Sequence, residues 1–168
     1  MVRYREEQRL GRLSLVGILL LVAFAEAGAF AVIVFEYLHR PTMGPPVAAL
    51  VAIGVAATIG PLLLLVMKLV VEVRDDGIYY CFFPTEWGFR CIAFTDIETM
   101  EIVSYHPILD FGGWGKRYRF WGKFKGICYT VGGDRALAVT KTDGRRIFLG
   151  TRRPDELLAT VYDAAGAR

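Results

Sequence analysis

With 168 residues, 54% of them hydrophobic, and a mean hydropathy of +0.39, the chain is richer in apolar residues than a small soluble domain needs. Its net charge of +3 is too small for a strongly basic nucleic-acid binder or an acidic tail. The three cysteines, Cys81, Cys91 and Cys128, have no C-x-x-C spacing and no histidine at ligand distance, so neither a metal site nor a cofactor is implied.

Residues 1–12 form a basic N-terminal segment, read as a lead-in to the first helix that holds Arg3, Arg5, Arg9 and Arg12 at headgroup level. From Leu13 to Phe35, twenty-three residues carry a single charge, Glu26, and Val47 to Met67 carry none in twenty-one. A helical span needs about 20 apolar residues, so residues 13–71 read as a two-helix transmembrane hairpin. The first run is too long for a signal-peptide core, and no Ala-x-Ala cleavage pattern precedes it. Pro41, Gly44, Pro45 and Pro46 mark a tight reversal between the runs, and Pro61 marks a kink in the second.

A carboxylate at bilayer depth costs roughly 2.5 kcal/mol or more, so Glu26 needs a partner, and Thr58 on the second run is the candidate. Small residues surround it, from Ala23 to Ala31, and Ala48 to Gly60 offer a matching surface for helix packing or an oligomer contact. The basic residues before the first run and after the second, against Arg40 alone between them, put both termini on the cytoplasmic side. The expected location is therefore the inner cell membrane, multi-pass, where cysteines stay reduced.

After the second run the period changes to that of strands. Short β-branched or aromatic runs cover residues 69–74, 78–83, 90–94, 97–105, 126–131, 136–142 and 145–150, with turn signals such as Asp75-Asp76-Gly77 and Asp143-Gly144 between them. Pro154, Asp155 and Glu156 then open a helix whose apolar residues are Leu157, Leu158, Val161 and Tyr162. The fold class expected is α+β: a transmembrane α-hairpin, then a seven-strand antiparallel barrel or sandwich with a C-terminal helix, residues 69–168 forming one cytoplasmic domain.

Strand count and terminal helix follow the order of a pleckstrin-homology-like (PH-like) domain. Two segments, Asp110-Phe-Gly-Gly-Trp-Gly-Lys-Arg117 and Asp143 to Leu157, together with the two apolar runs, give a chain that resembles uncharacterised prokaryotic membrane proteins with two transmembrane helices and a C-terminal PH-like domain. The resemblance spans nearly the whole chain and implies the fold, but no activity.

The segment most suited to binding is Phe111 to Gly133, which holds no acidic residue. Trp114, Lys116, Arg117, Arg119, Trp121, Lys123 and Lys125 interleave basic and aromatic side chains, and Trp-Gly-Lys occurs twice, seven residues apart. Tryptophan favours the membrane interface, and each basic residue near anionic headgroups gains roughly 1 kcal/mol, so this segment reads as a lip facing lipid or phosphate. The competing reading makes its aromatics barrel core and its basic residues a solvated outer face. Gly-Gly-Trp-Gly-Lys lacks the Walker A spacing, and the near-balance of fourteen basic against thirteen acidic residues from Leu69 onward argues against nucleic acid. His106 and Asp110 have no serine or cysteine motif to act on, which leaves His106 an ordinary loop histidine.

The function expected is non-enzymatic: an integral membrane protein whose domain binds anionic lipid headgroups, a peptide or a partner protein. The alternatives are an accessory subunit of a larger membrane complex or homo-oligomer held through the Ala/Gly faces, and a small channel or transporter component using Glu26.

Overall fold

The computed structural model describes residues 1–39 and 47–166; the side chains of residues 12–14, 47, 48, 50, 57, 58, 60–62 and 64 fall outside that description. The Pro41–Pro46 reversal, the Pro61 kink and the Thr58 side chain thus lie outside the described residues. The chain divides into two compact units, one made of Leu10–Val66 and the other of Met1–Arg9 with Met67–Arg168.

The first unit is a pair of helices, α1 (Arg12–His39) and α2 (Val47–Val66), which contact each other. Residues Leu15–His39 of α1 are long and apolar enough to cross a membrane, and the most apolar window of that stretch is not buried by the protein. Such a surface is stable only where something other than water covers it. A Cβ added at Gly17, Gly28 or Gly54 would meet nothing within 4 Å, so these glycines are not points of close helix approach within the chain.

The second unit holds nine strands in two sheets. Sheet A has the order β1-β2-β3-β4, formed by Val2–Arg9, Lys68–Arg74, Gly77–Phe83 and Arg90–Ala93. Sheet B has the order β5-β8-β9-β7-β6, formed by Ile97–Ser104 (β5), Gly115–Arg119 (β6), Gly126–Thr130 (β7), Arg135–Lys141 (β8) and Arg146–Gly150 (β9). A short helix α3 (Pro107–Phe111) precedes β6, and α4 (Pro154–Gly166) closes the described chain. All strand pairs are antiparallel except β7 with β9, which run parallel.

The expected seven-strand antiparallel barrel or sandwich is therefore corrected: the described residues form nine strands in two sheets, not one barrel, and one strand pair is parallel. The seven expected strands all form, and β1 and β6 are added. Residues 2–9, expected as a helical lead-in, are extended because their alternation has a buried set, Tyr4, Glu6 and Gln8, that is mostly polar. That set escapes any search for alternating apolar residues.

Burying Glu6 and Gln8 requires partners, and the chain supplies them from the end of β9 and the approach to α4. Glu6 accepts hydrogen bonds from the Tyr4 hydroxyl at 2.7 Å, the Thr151 hydroxyl at 2.8 Å and the Arg152 amide at 2.8 Å. The Gln8 side-chain amide donates to the Gly150 carbonyl at 2.6 Å. Arg152 and Arg153 then reach back to the carbonyls of Arg9 and Arg5, at 2.7 and 2.8 Å, and the Arg153 guanidinium lies 4.8 Å from the Tyr4 ring centre. Burial, reinforced by the Glu6 carboxylate, raises the Tyr4 pKa, so the phenol stays protonated as a donor.

Leu69, Val71 and Val73 of β2 share the interior with Ile78, Tyr80 and Phe82 of β3, and α4 contributes Leu157, Val161 and Ala164, spaced i, i+4, i+7. Leu158 and Tyr162, expected on that apolar face, are half-buried and exposed respectively. Sheet B is covered on a second face as well. Val103, Cys128, Ala136, Ala138 and Phe148 lie there beneath Tyr105, Phe111 and Phe124.

Two outcomes follow for β1. Glu6→Ala would strand three donors, two hydroxyls and an amide, and should lower unfolding free energy by about 2–3 kcal/mol in denaturant titration, more than Glu6→Gln does. Because Arg9 stands directly opposite Lys68, a two-residue Asn-Gly turn replacing Leu10–Met67 should give a soluble, cooperatively folding protein. A fragment starting at Leu69 should show no cooperative unfolding transition in calorimetry, whereas the Asn-Gly-joined chain should show one.

Candidate functional site

The β6–β7 hairpin carries the basic and aromatic residues singled out in the sequence. Its ladder runs from Gly115 opposite Thr130 to Arg119 opposite Gly126, and Phe120–Lys125 form the connecting lip. Gly126 has φ 144°, and a Cβ there would approach the Arg146 carbonyl oxygen to 2.4 Å. Only glycine lets β7 begin so close to β9.

Two phenylalanines fix the segment by entering the core. Phe111 meets Tyr105, Phe124 and Phe148 with ring centres 5.5, 5.4 and 5.6 Å apart, and Phe124 meets Phe148 at 5.8 Å. Close rings at tilted and edge-on angles hold α3, through Phe111, and the lip, through Phe124, against sheet B. Around α3, the His106 ring nitrogen Nδ1 accepts from the Leu109 amide at 3.3 Å, while the His106 amide donates to Asp110 Oδ2 at 2.6 Å. This reciprocal cap gives His106 and Asp110 a structural role, and the histidine expected as a plain loop residue is a helix cap.

What remains outside is apolar. Trp121 and Phe120 are each 72% exposed and Leu109 is 76% exposed, with Ile108 and Tyr118 also open to solvent. They border a cleft of about 330 Å³ between α3 and the end of β6. Arg117, Lys123 and Lys125 of the same hairpin are exposed, but the charged residues that line the cleft are Asp110 and Arg119. An exposed apolar surface around a cleft is costly in water and suits an apolar ligand.

The seven sequence-derived residues thus divide. Arg117, Trp121, Lys123 and Lys125 are all exposed, and of these Trp121 borders the cleft. Arg119 is committed to the scaffold, its guanidinium donating to the carbonyls of Asp110 and, at 3.2 Å, of Trp121. Trp114 is half-buried, with a buried indole nitrogen that has no partner among the described residues. Lys116 points into the domain, where its ammonium pairs with Glu86 at 3.0 Å. Burial works against the Lys116 charge, but the Glu86 carboxylate outweighs it and raises the pKa.

Glu86 was not legible in the sequence. It sits in the loop between β3 and β4, only 6% exposed, and one oxygen receives Arg90 at 2.9 Å, Lys116 at 3.0 Å and the Tyr129 hydroxyl at 3.2 Å. A carboxylate this buried is stabilised only by such donors, and it ties the β3–β4 loop of sheet A to β6 and β7 of sheet B. The lip lies at the opposite end of the β6–β7 ladder, about 14–17 Å away along five residues.

Among the described residues, no three His, Cys, Asp or Glu side chains gather as a metal site. Cys128 is fully buried and its thiol is pushed up to about 12 by desolvation, while Cys81 is half-buried and Cys91 exposed. Of the three thiols, that of Cys128 alone is fully buried. Glu26 lies half-buried on α1, and its expected partner Thr58 falls outside the described side chains. No protein-family model matches the chain, and neither the curated proteins nor the solved structures contain a match.

Replacing Gly126 by Ala should lower stability by about 1–3 kcal/mol through backbone strain and the close contact with Arg146, and near-ultraviolet circular dichroism should register the displaced lip aromatics. In native protein, a thiol reagent should modify Cys91 readily and leave Cys128 untouched until denaturant is added, as mass spectrometry would read.

Proposed function

We propose that the chain is a two-pass inner-membrane protein whose β domain is a non-enzymatic recognition module, its cleft and lip receiving an apolar segment with acidic flanks on a partner protein. The PH-like character expected from the sequence belongs to this reading, as does the cytoplasmic placement of both termini.

The observation carrying the two-pass part is the pairing of Arg9 with Lys68. A chain that leaves a folded domain at Arg9 and re-enters it directly opposite must return to the same side, so any crossing of a bilayer between them occurs an even number of times. The Leu15–His39 stretch is long enough to cross once. The uncharged α2, twenty residues rising about 1.5 Å each, reaches the roughly 30 Å needed for the return. The count of arginines around Val2–Arg9 and Arg12 against Arg40 supports the inner side. In intact cells an impermeant thiol reagent should label Pro45→Cys from outside; protection of that position would overturn the orientation.

The recognition part is supported by concavity. Ile108, Leu109, Tyr118, Phe120 and Trp121 border a cleft, which accepts side chains, and Arg117, Lys123 and Lys125, exposed on the same hairpin and its lip, supply positive charge for acidic flanks. A second reading, binding to anionic headgroups, draws support from the exposed Phe120 and Trp121 beside the same cations. A photo-crosslinking residue at Phe120 of the full chain, in native membranes, distinguishes them. A discrete protein adduct that disappears with Arg117, Lys123 and Lys125 all changed to Ala supports the partner. Adducts to lipid alone would replace that reading with the second. The accessory-subunit alternative predicts the same adduct at fixed stoichiometry in native mass measurement.

A further inference from the structure

The end of sheet A where the helical segment departs carries its own set of side chains. Arg9 pairs with Lys68, and Lys68 with Phe83, so these three residues stand in a row across β1, β2 and β3. Cross-strand partners share a face, and because Tyr4, Glu6 and Gln8 face the interior, the row faces outward. Beside Phe83 lies Trp87, ring centres 5.3 Å apart and nearly perpendicular.

Trp87 is 86% exposed, yet it does not ride on a loose tip. The Glu86 amide donates to the Phe82 carbonyl at 2.9 Å, the Thr85 hydroxyl reaches the same carbonyl at 3.2 Å, and the Cys81 thiol reaches the Glu86 carbonyl at 3.4 Å. The adjoining Glu86 side chain is buried and held by Arg90, Lys116 and Tyr129. A well-anchored loop that presents an indole to solvent, touching the Phe83 ring on one side, leaves most of its apolar surface uncovered.

We infer that Trp87 and Phe83, with Lys68 and Arg9 beside them, seat the domain on the phospholipid headgroup layer. The inference rests on the two-pass reading, which puts Val66 at the end of a span. Lys68 follows two residues later, within about 7 Å of that end, and the headgroup layer is itself about 5–8 Å deep. Indole and phenyl rings belong at that depth, and the cations meet lipid phosphate there. Glu7 pairs with Arg9 at 2.9 Å and offsets part of its charge, so Trp87 is the main contributor. The lip beyond β6 is left to its separate role.

The test uses the full chain in phospholipid vesicles. With Trp114→Phe and Trp121→Phe, Trp87 is the sole tryptophan, and lipid brominated along the acyl chain should lower its emission about twofold relative to unbrominated lipid. If Trp114→Phe impairs folding, the difference between chains with Trp87 and with Trp87→Phe, Trp114 retained, gives the same reading. Equal emission in both lipids overturns the inference. Shielding of Trp87 from aqueous acrylamide without quenching by bromine also overturns it, in favour of a protein contact. Extraction of the chain by alkaline carbonate would overturn the two-pass reading and this inference with it, whereas retention without quenching sinks this one only.

Discussion

The ladder between β1 and β2 is the constraint on which everything else in the chain depends. It joins the first nine residues to a domain that otherwise begins at Met67, and it makes the helical pair an insertion between two neighbouring strands. Closing a flexible loop of that length would cost about 3–4 kcal/mol in chain entropy. Two helices that pack antiparallel bring their outer ends together first and remove most of that cost. The helical pair and the ladder are thus mutually favourable.

The polar interior of β1 sets how that ladder is specified. An apolar strand would pair with many edges, whereas Glu6 is stable in its buried position only if Tyr4, Thr151 and Arg152 all present donors to it. A slip by one residue would turn Arg5 and Glu7 inward with no partners placed for them. The segment Gly150–Arg153, which in sequence lies between an expected strand and an expected helix, is thereby assigned to holding the N-terminal strand. The same division of labour appears at the lip: Arg119 and Lys116 spend their charge inside the domain, and that leaves Arg117, Lys123 and Lys125 to act outward.

Much of this was legible in residue order where side-chain chemistry follows the local period. The seven runs rich in Val, Ile, Phe and Tyr all became strands, and the Leu157–Val161 spacing gave the buried side of α4. β1 and β6 were missed because both read as charge, VRYREEQR and GKRYR, and their partners lie 59 or more residues away for β1, from Arg9 to Lys68, and across a glycine-bounded lip for β6. The parallel pairing of β7 with β9 depends on β8 passing between them in sequence but beside β9 in the sheet, which no local pattern encodes. Glu86 carried no signal either: Pro-Thr-Glu-Trp looks like an ordinary exposed turn, and its burial follows from Lys116 and Tyr129 arriving from the other sheet. At the lip, composition identified the right segment but could not separate Phe111 and Phe124, which fill the core, from Phe120 and Trp121, which do not.

The insertion has a mechanical consequence. β1 and β2 are joined to the two helices at the same end of their ladder, Arg9 and Lys68, so any separation of α1 from α2 loads the hydrogen bonds one pair at a time from that end, as a zipper is opened. Such a ladder resists far less than one sheared along its length. Resistance therefore has to come from outside the ladder, at the loaded end. That is where the Arg152 guanidinium holds the Arg9 carbonyl and the Gln8 amide holds the Gly150 carbonyl, both from the far side of the domain. Placed there, the two contacts tie the loaded end of the ladder to the end of β9 and the approach to α4.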